Sequence, residues 1–368
     1  MQQAVIFHSA DRDLELVHYA ISEPRGAELL VRVSCCTLCR SDLHTHSGRR
    51  IESTPTVLGH EIVGRIEAFG PTAPRSDAQG TPLNIGDRVT WAVAVGCGSC
   101  FFCMDDLPQK CERPFKYGHQ RVSTERPLGG GLADFIVLVP GTVWLRVPDE
   151  VDDLVAAPAN CATATVAALL RNSGPIAGRN VLLLGAGVLG VTACAMARTA
   201  GAKTVMVSDP VAECRVRAMQ FGATHAFSTD VDALATNVRD VTDGRGADVV
   251  LELAGVAGTV QAALTLARTG GTIVLAGTVA PLGEVRFDPE SVVRRMLTIR
   301  GVHNYHPRDL ATAMAFLAGA GRQFPWCSLV TASYPLEQTN QAFAAAHAQP
   351  GVRVAVLPNQ SMAASGKM

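Results

Sequence analysis

Val181-Leu182-Leu183-Leu184 runs directly into Gly185-Ala186-Gly187-Val188-Leu189-Gly190, and an alanine-rich stretch follows to Ala200. A continuous apolar run of this kind reads as a strand buried on both faces of a parallel sheet. In the G-x-G-x-x-G turn after it, Gly185 suits the tight turn and Gly187 leaves room for a pyrophosphate against the backbone. Gly190 permits close helix-to-strand packing. The helix start that follows offers free N–H groups and a partial positive charge to phosphates. A second strand signal, Thr204 to Ser208, ends in Asp209, 19 residues after Gly190. A carboxylate there accepts ribose hydroxyls and repels a 2′-phosphate, so NAD is expected over NADP. Arg215 and Arg217 lie close enough to serve a 2′-phosphate instead, and the plain alternative is a structural turn with an ordinary helix-capping Asp209.

Strand signals at Val249 to Leu253 and Thr272 to Ala276 continue the alternation with helices, which predicts a doubly wound parallel sheet. The first 160 residues read differently. Turn residues recur at Pro24, Gly26, Gly48, Pro55, Gly59, Gly64, Gly70 and Gly86, and Leu29-Leu30-Val31-Arg32-Val33 reads as strand. This half is expected to be an irregular, mostly β domain, with residues 71–83 as a polar surface loop. The tail from about Gly301 is expected to rejoin it. At 368 residues the chain has the length of two or three domains and buries enough surface to need no disulfides.

Cys97, Cys100, Cys103 and Cys111 form C-x2-C-x2-C-x7-C. Four soft thiolates in so short a loop suit a closed, tetrahedral, structural zinc. A disulfide pair or an iron–sulfur centre also uses such cysteines. A reducing compartment disfavours the first, and the spacing disfavours the second. Farther apart, Cys39, His60 and Cys161 offer a Cys2His set, the ligand number of a catalytic zinc with one open position. Each alone has an ordinary alternative, a buried thiol or a hydrogen-bonded core histidine.

The formal net charge of −1 gives no basic face for nucleic acid or an anionic membrane. Residues 1–10 show no secretory pattern, and no apolar run approaches a membrane span. The eleven cysteines are therefore expected in a reducing cytoplasm, as metal ligands and plain buried thiols.

Taken in order along nearly the whole chain, Cys39 to His44, Gly59-His60-Glu61-x-x-Gly64, Gly86-Asp87-x-Val89, the four-cysteine lobe and the glycine turn resemble the zinc-dependent medium-chain alcohol dehydrogenases. The resemblance implies an α/β chain: a GroES-like, mostly β catalytic domain (1–161 and 301–368, with a structural zinc lobe at 96–112) and a Rossmann NAD-binding domain (162–300). It places the active site in the cleft between them and implies homodimers or homotetramers built partly through the cofactor domains. The implied reaction is reversible hydride transfer between a small alcohol and NAD⁺, with two zinc ions per chain.

By position, Cys39, His60 and Cys161 match the catalytic zinc ligands. Ser41 matches the hydroxyl that takes the alcohol proton, and His44 a later member of the relay. Asp42 and Glu61 match carboxylates near the metal. Thr165 matches a residue at the nicotinamide, and Arg353 an arginine on the cofactor phosphates. Some polyol-oxidising relatives replace Cys161 by a carboxylate, and some use the Glu61 position as a transient ligand, so a polyol dehydrogenase is the alternative within the family. A zinc-free, NADPH-dependent quinone or enone reductase is the rival outside it, and it lacks the cysteine lobe and the Cys39/His60 pair.

For the substrate, Arg49-Arg50 just past the relay offers two guanidiniums to an anion. The plain alternative is a solvated basic turn. Leu107 to Cys111, Lys116 to His119 and Ala157 to Thr165 resemble a subgroup associated with phosphonate catabolism, which implies a phosphonate-bearing alcohol or aldehyde.

Overall fold

The computed structural model describes residues 1–123, 129–279 and 283–359, except the side chain of residue 231. It divides into two compact units. The first comprises Met1–Cys161, His306–Ala318 and Trp326–Met368, and the second comprises Ala162–Tyr305 and Gly319–Pro325. The junction after Cys161 lies where the sequence texture changes. The later boundary differs from the expected 300/301: the edge strand and its following turn keep the chain in the second unit to Tyr305, and residues 319–325 return to it. Phe324 explains that return, because its ring stacks on Phe221 of the same unit at 6.1 Å.

The first unit is mostly β. In its seven-stranded sheet Leu29–Thr37 lies between Glu61–Phe69 and Arg353–Leu357, both antiparallel to it, and Phe135–Leu138 also pairs with it. A three-stranded sheet, ordered Glu15–Tyr19, Gln2–Phe7, Thr56–Val57, supplies a second layer. One core runs through both, from Ala4, Val5 and Ile6 to Val31, Ile62, Trp91, Phe343 and Val356. This packing brings residues 35–39, 60–62 and 353–356 together from three distant parts of the sequence. The polar segment 71–83 does not float free. Asp77 is buried, accepting from Gln79 N and Thr81 N through Oδ1 and from Arg146 N through Oδ2.

The second unit holds a six-stranded, all-parallel sheet. Its order is His225–Phe227, Thr204–Ser208, Asn180–Leu184, Ala247–Glu252, Ala267–Leu275, Thr298–Gly301. Numbered within this sheet along the chain, that is 3-2-1-4-5-6, the doubly wound nucleotide-binding order. Asn180–Leu184 is buried at every position, which explains its unbroken apolar run. Among the described residues no single helix is long and apolar enough to cross a membrane.

Candidate active site

In the second unit, each glycine of the turn has a distinct steric reason. Gly185 has φ +112°, and a Cβ there would stand 3.0 Å from Ala254 N. A Cβ on Gly190 would meet Gly185 O at 2.1 Å, so only glycine lets helix Val188–Thr199 start so close to the strand. Gly187 faces open space, as an approaching pyrophosphate requires. Asp209 is tied to this turn, its Oδ2 accepting from Ala186 N at 2.8 Å and its Oδ1 from Val211 N at 2.9 Å. Arg215 is fixed on the backbone, donating through Nη1 to Asp209 O and Pro210 O. Arg217 Nη1 points to Cys214 Sγ at 3.9 Å. Thr165 lies half-buried in helix Ala162–Ser173.

In the first unit, the sulfurs of Cys97, Cys100, Cys103 and Cys111 all lie within 4.8 Å of one another. Cys100 Sγ and Cys111 Sγ are 3.8 Å apart. Four ligands at about 2.3 Å from zinc in a tetrahedron stand about 3.8 Å apart, so the donor set and its spacing fit that ion. Backbone N–H groups of Cys97 and Arg113 donate to Cys111 Sγ. Backbone and side-chain hydrogen bonds from Ser99 lead the interactions that pull the Cys97 thiol down to about 5. Thiolates stabilised this way are prepared ligands.

The second donor set is Cys39, His60, Glu61 and Cys161, also within 4.8 Å of one another. Cys39 precedes helix Arg40–His46, where Asp42 closes a capping box by accepting from Cys39 N at 2.9 Å. The same carboxylate takes Gly59 N at 3.2 Å and faces His60 Nδ1 at 3.2 Å. With Nδ1 turned to Asp42, Nε2 is the ring nitrogen of His60 left to serve as a metal donor. Burial works against charge on His60, but Asp42 and Cys39 hold its pKa well above the ordinary histidine value. Cys39 and Cys161, 4.0 Å apart, share a hydrogen bond that pulls the Cys39 thiol well down and pushes Cys161 well up. Ser41 Oγ lies 3.3 Å from His60 Nε2. His44, one turn further along the helix, is half-buried and makes no side-chain hydrogen bond among the described residues.

Glu61 is fully buried, with one carboxylate oxygen inside this donor set and both oxygens held by other side chains. Thr37 Oγ1 donates to it at 2.6 Å, and Arg353 grips it in bidentate fashion, Nε to Oε2 at 2.7 Å and Nη2 to Oε1 at 2.8 Å. Burial lifts its carboxyl to about 7 even against the Arg353 charge. Arg353, which the resemblance places at the cofactor phosphates, is 7% exposed, paired with Glu61 and 3.6 Å from Cys39 Sγ. No local pattern announces this pair, because 292 residues separate its members.

The arginine pair is also split. Arg49 is exposed, whereas Arg50 Nε is ion-paired with Glu52 Oε1 at 2.7 Å. His119 stands beside the metal donors and was not foreseen as a site residue; its ring centroid is 5.1 Å from that of His60.

A doubly wound nucleotide sheet and a β unit carrying one closed and one open donor set define a zinc- and dinucleotide-dependent oxidoreductase. The alcohol dehydrogenase GroES-like domain family matches residues 25–149, and the zinc-binding dehydrogenase family matches residues 188–319. The L-threonine 3-dehydrogenase of Pyrococcus furiosus is 30% identical over 300 residues, covering 79% of this chain and 80% of that protein. An alcohol dehydrogenase of Thermotoga maritima superposes with TM-score 0.91 at 28% identity, covering 97% of this chain and 99% of that one. A Sinorhizobium meliloti protein solved with NADP bound gives TM-score 0.85 at 27% identity, with coverage of 97% and 99%. The chain belongs to the zinc-dependent medium-chain alcohol dehydrogenases. It is an enzyme that moves hydride between an alcohol and NAD(P), with zinc as its metal.

Proposed function

We propose that this alcohol dehydrogenase works at the Cys39–His60–Cys161 set, with NAD as its preferred cofactor. The observation that carries the reading is the convergence of two thiols and an imidazole from sequence positions up to 122 residues apart. When bound there, zinc supplies Lewis acidity to a substrate oxygen, and nicotinamide supplies the hydride acceptor. The chain's own residues do the rest. Ser41 Oγ takes the alcohol proton, and His44, at i+3 on the same helix face, hands it outward. Asp42 fixes the His60 tautomer. Glu61 would be kept from competing with substrate for the metal by its bonds to Arg353 and Thr37. Cys97, Cys100, Cys103 and Cys111 hold the structural zinc and take no part in the chemistry. Gly185, Gly187 and Gly190 receive the pyrophosphate, and Thr165 contacts the nicotinamide.

Asp209 supports NAD over NADP, because its carboxylate is locked at the end of strand Thr204–Ser208, where it opposes a 2′-phosphate. The expected result is a kcat/KM for NAD about tenfold or more above that for NADP, with Asp209→Asn narrowing the gap. A wild-type preference for NADP, the cofactor seen in the Sinorhizobium relative, would overturn it.

The reading extends to assembly and location, a homo-oligomer in the cytoplasm. Edge strand Thr298–Gly301 is exposed along its length, and Ile299 (40%), Val293 (75%) and Met296 (75%) are exposed apolar residues close to it in sequence. An open edge flanked by apolar side chains suits pairing with a second copy. Sedimentation should give a dimer or tetramer that Ile299→Lys weakens; a monomer at micromolar concentration would end the idea.

A further inference from the structure

Next to the metal donors lies a polar cluster that hydride transfer does not use. Glu52 Oε1 faces Arg50 Nε at 2.7 Å and His119 Nδ1 at 3.0 Å. His119 in turn lies against the His60 ring, at an interplanar angle of 35°. Gly118, at φ +77°, makes that approach possible, since a Cβ there would stand 2.7 Å from Gly59 O and 3.0 Å from His60 Cβ. Lys116, on strand Phe115–Lys116, is half-buried and tied to the cluster by its backbone, its carbonyl accepting from His119 N at 3.2 Å. Its ammonium meets burial first, then repulsion from Arg50 and Lys110, and is favoured only by Glu52.

The hydrogen-bond inventory decides what such a cluster binds. Glu52 Oε1 is shared by two donors. Among the described residues, the Nη atoms of Arg50 and the Nζ of Lys116 donate to nothing. One cation, Arg50, is paired with this carboxylate and a second, Lys116, is held beside His119 by its backbone, so the unused capacity is mainly N–H donors near His60. Holding such donors half-desolvated and unpaired is costly unless an oxyanion completes them. Arg49 is exposed to solvent.

We infer that Arg50 and Lys116, positioned by the Glu52–His119 pair, form the specificity subsite of this metal centre and hold an oxyanion, carboxylate or phosphonate, carried by the alcohol substrate. The inference rests on the dehydrogenase reading above. Its test uses the zinc-loaded enzyme with NAD and three alcohols: 2-hydroxyethylphosphonate, 3-hydroxypropanoate and 1-propanol. The better anionic alcohol should exceed 1-propanol in kcat/KM by about tenfold to a hundredfold, the worth of one or two hydrogen bonds to a charge. Lys116→Met and Arg50→Gln should each shrink that ratio by about tenfold through KM, and Lys116→Arg should keep most of it. The two anionic arms identify which oxyanion fits. If 1-propanol turns over and neither anionic alcohol is preferred, the subsite is refuted and the dehydrogenase reading stands. If no alcohol turns over, the dehydrogenase reading fails, and calorimetric titration of methylphosphonate and acetate into the same protein decides the subsite. Binding lost in the Lys116→Met/Arg50→Gln double variant supports it; no binding, or equal binding in that variant, overturns it.

Discussion

Replacing Cys39 with serine should leave a folded protein with about one zinc per chain instead of two and at least about a thousandfold less alcohol turnover. The fold should survive because Cys39 serves helix Arg40–His46 as its N-terminal cap, and serine is a better capping residue than cysteine. The backbone bond from residue 39 N to Asp42 Oδ2 does not depend on the side chain at 39. Turnover should fall because a hydroxyl at neutral pH is a poor replacement for a thiolate that Cys161 and Arg353 both stabilise. His60→Ala should give the same zinc count with greater loss of stability, since it strips the buried Asp42 carboxylate of its imidazole partner. Metal analysis, circular dichroism and kcat on one preparation check all three points. Near-normal turnover with one zinc per chain would move the chemistry away from this site. The contrast is Cys97→Ser, which should also cost one zinc but lower thermal stability more than it lowers kcat.

The parts legible in the sequence were those encoded locally. The glycine turn could be read because strand, turn and helix follow one another within 20 residues, and each glycine meets a steric demand there. The cysteine lobe could be read because its four ligands lie within 15 residues of chain. Cys39, Asp42, His60 and Cys161 are farther apart, and their grouping came from the ordered set of family motifs, not from spacing. The features that escaped are pairings across the sheet. Arg353 reaches Glu61 because strand Arg353–Leu357 pairs with Leu29–Thr37, which pairs with Glu61–Phe69. His119 reaches Glu52 and His60 through a glycine at positive φ, which in sequence resembles any other turn glycine. Composition likewise marked residues 71–83 as polar loop but not that Asp77 would anchor them from inside.

The pairing of Arg353 with Glu61 leads to the second large effect. Arg353→Leu should destabilise the protein by about 3–5 kcal/mol, because it strands an ionisable carboxyl in a fully buried site with only Thr37 as partner. The loss belongs to the unpaired group more than to the pair itself, so Glu61→Gln combined with Arg353→Leu should recover a substantial part of it. A double-mutant cycle by urea denaturation measures this coupling. Catalytic zinc should also dissociate faster from Arg353→Leu, since the guanidinium lies 3.6 Å from Cys39 Sγ and favours its thiolate. The role at the cofactor phosphates predicts something different: an unchanged denaturation midpoint and a raised KM for NAD. If Arg353→Leu behaves that way, the Glu61 pair is incidental. If stability and zinc retention fall together while Glu61→Gln restores stability, Arg353 is a structural partner of the metal centre.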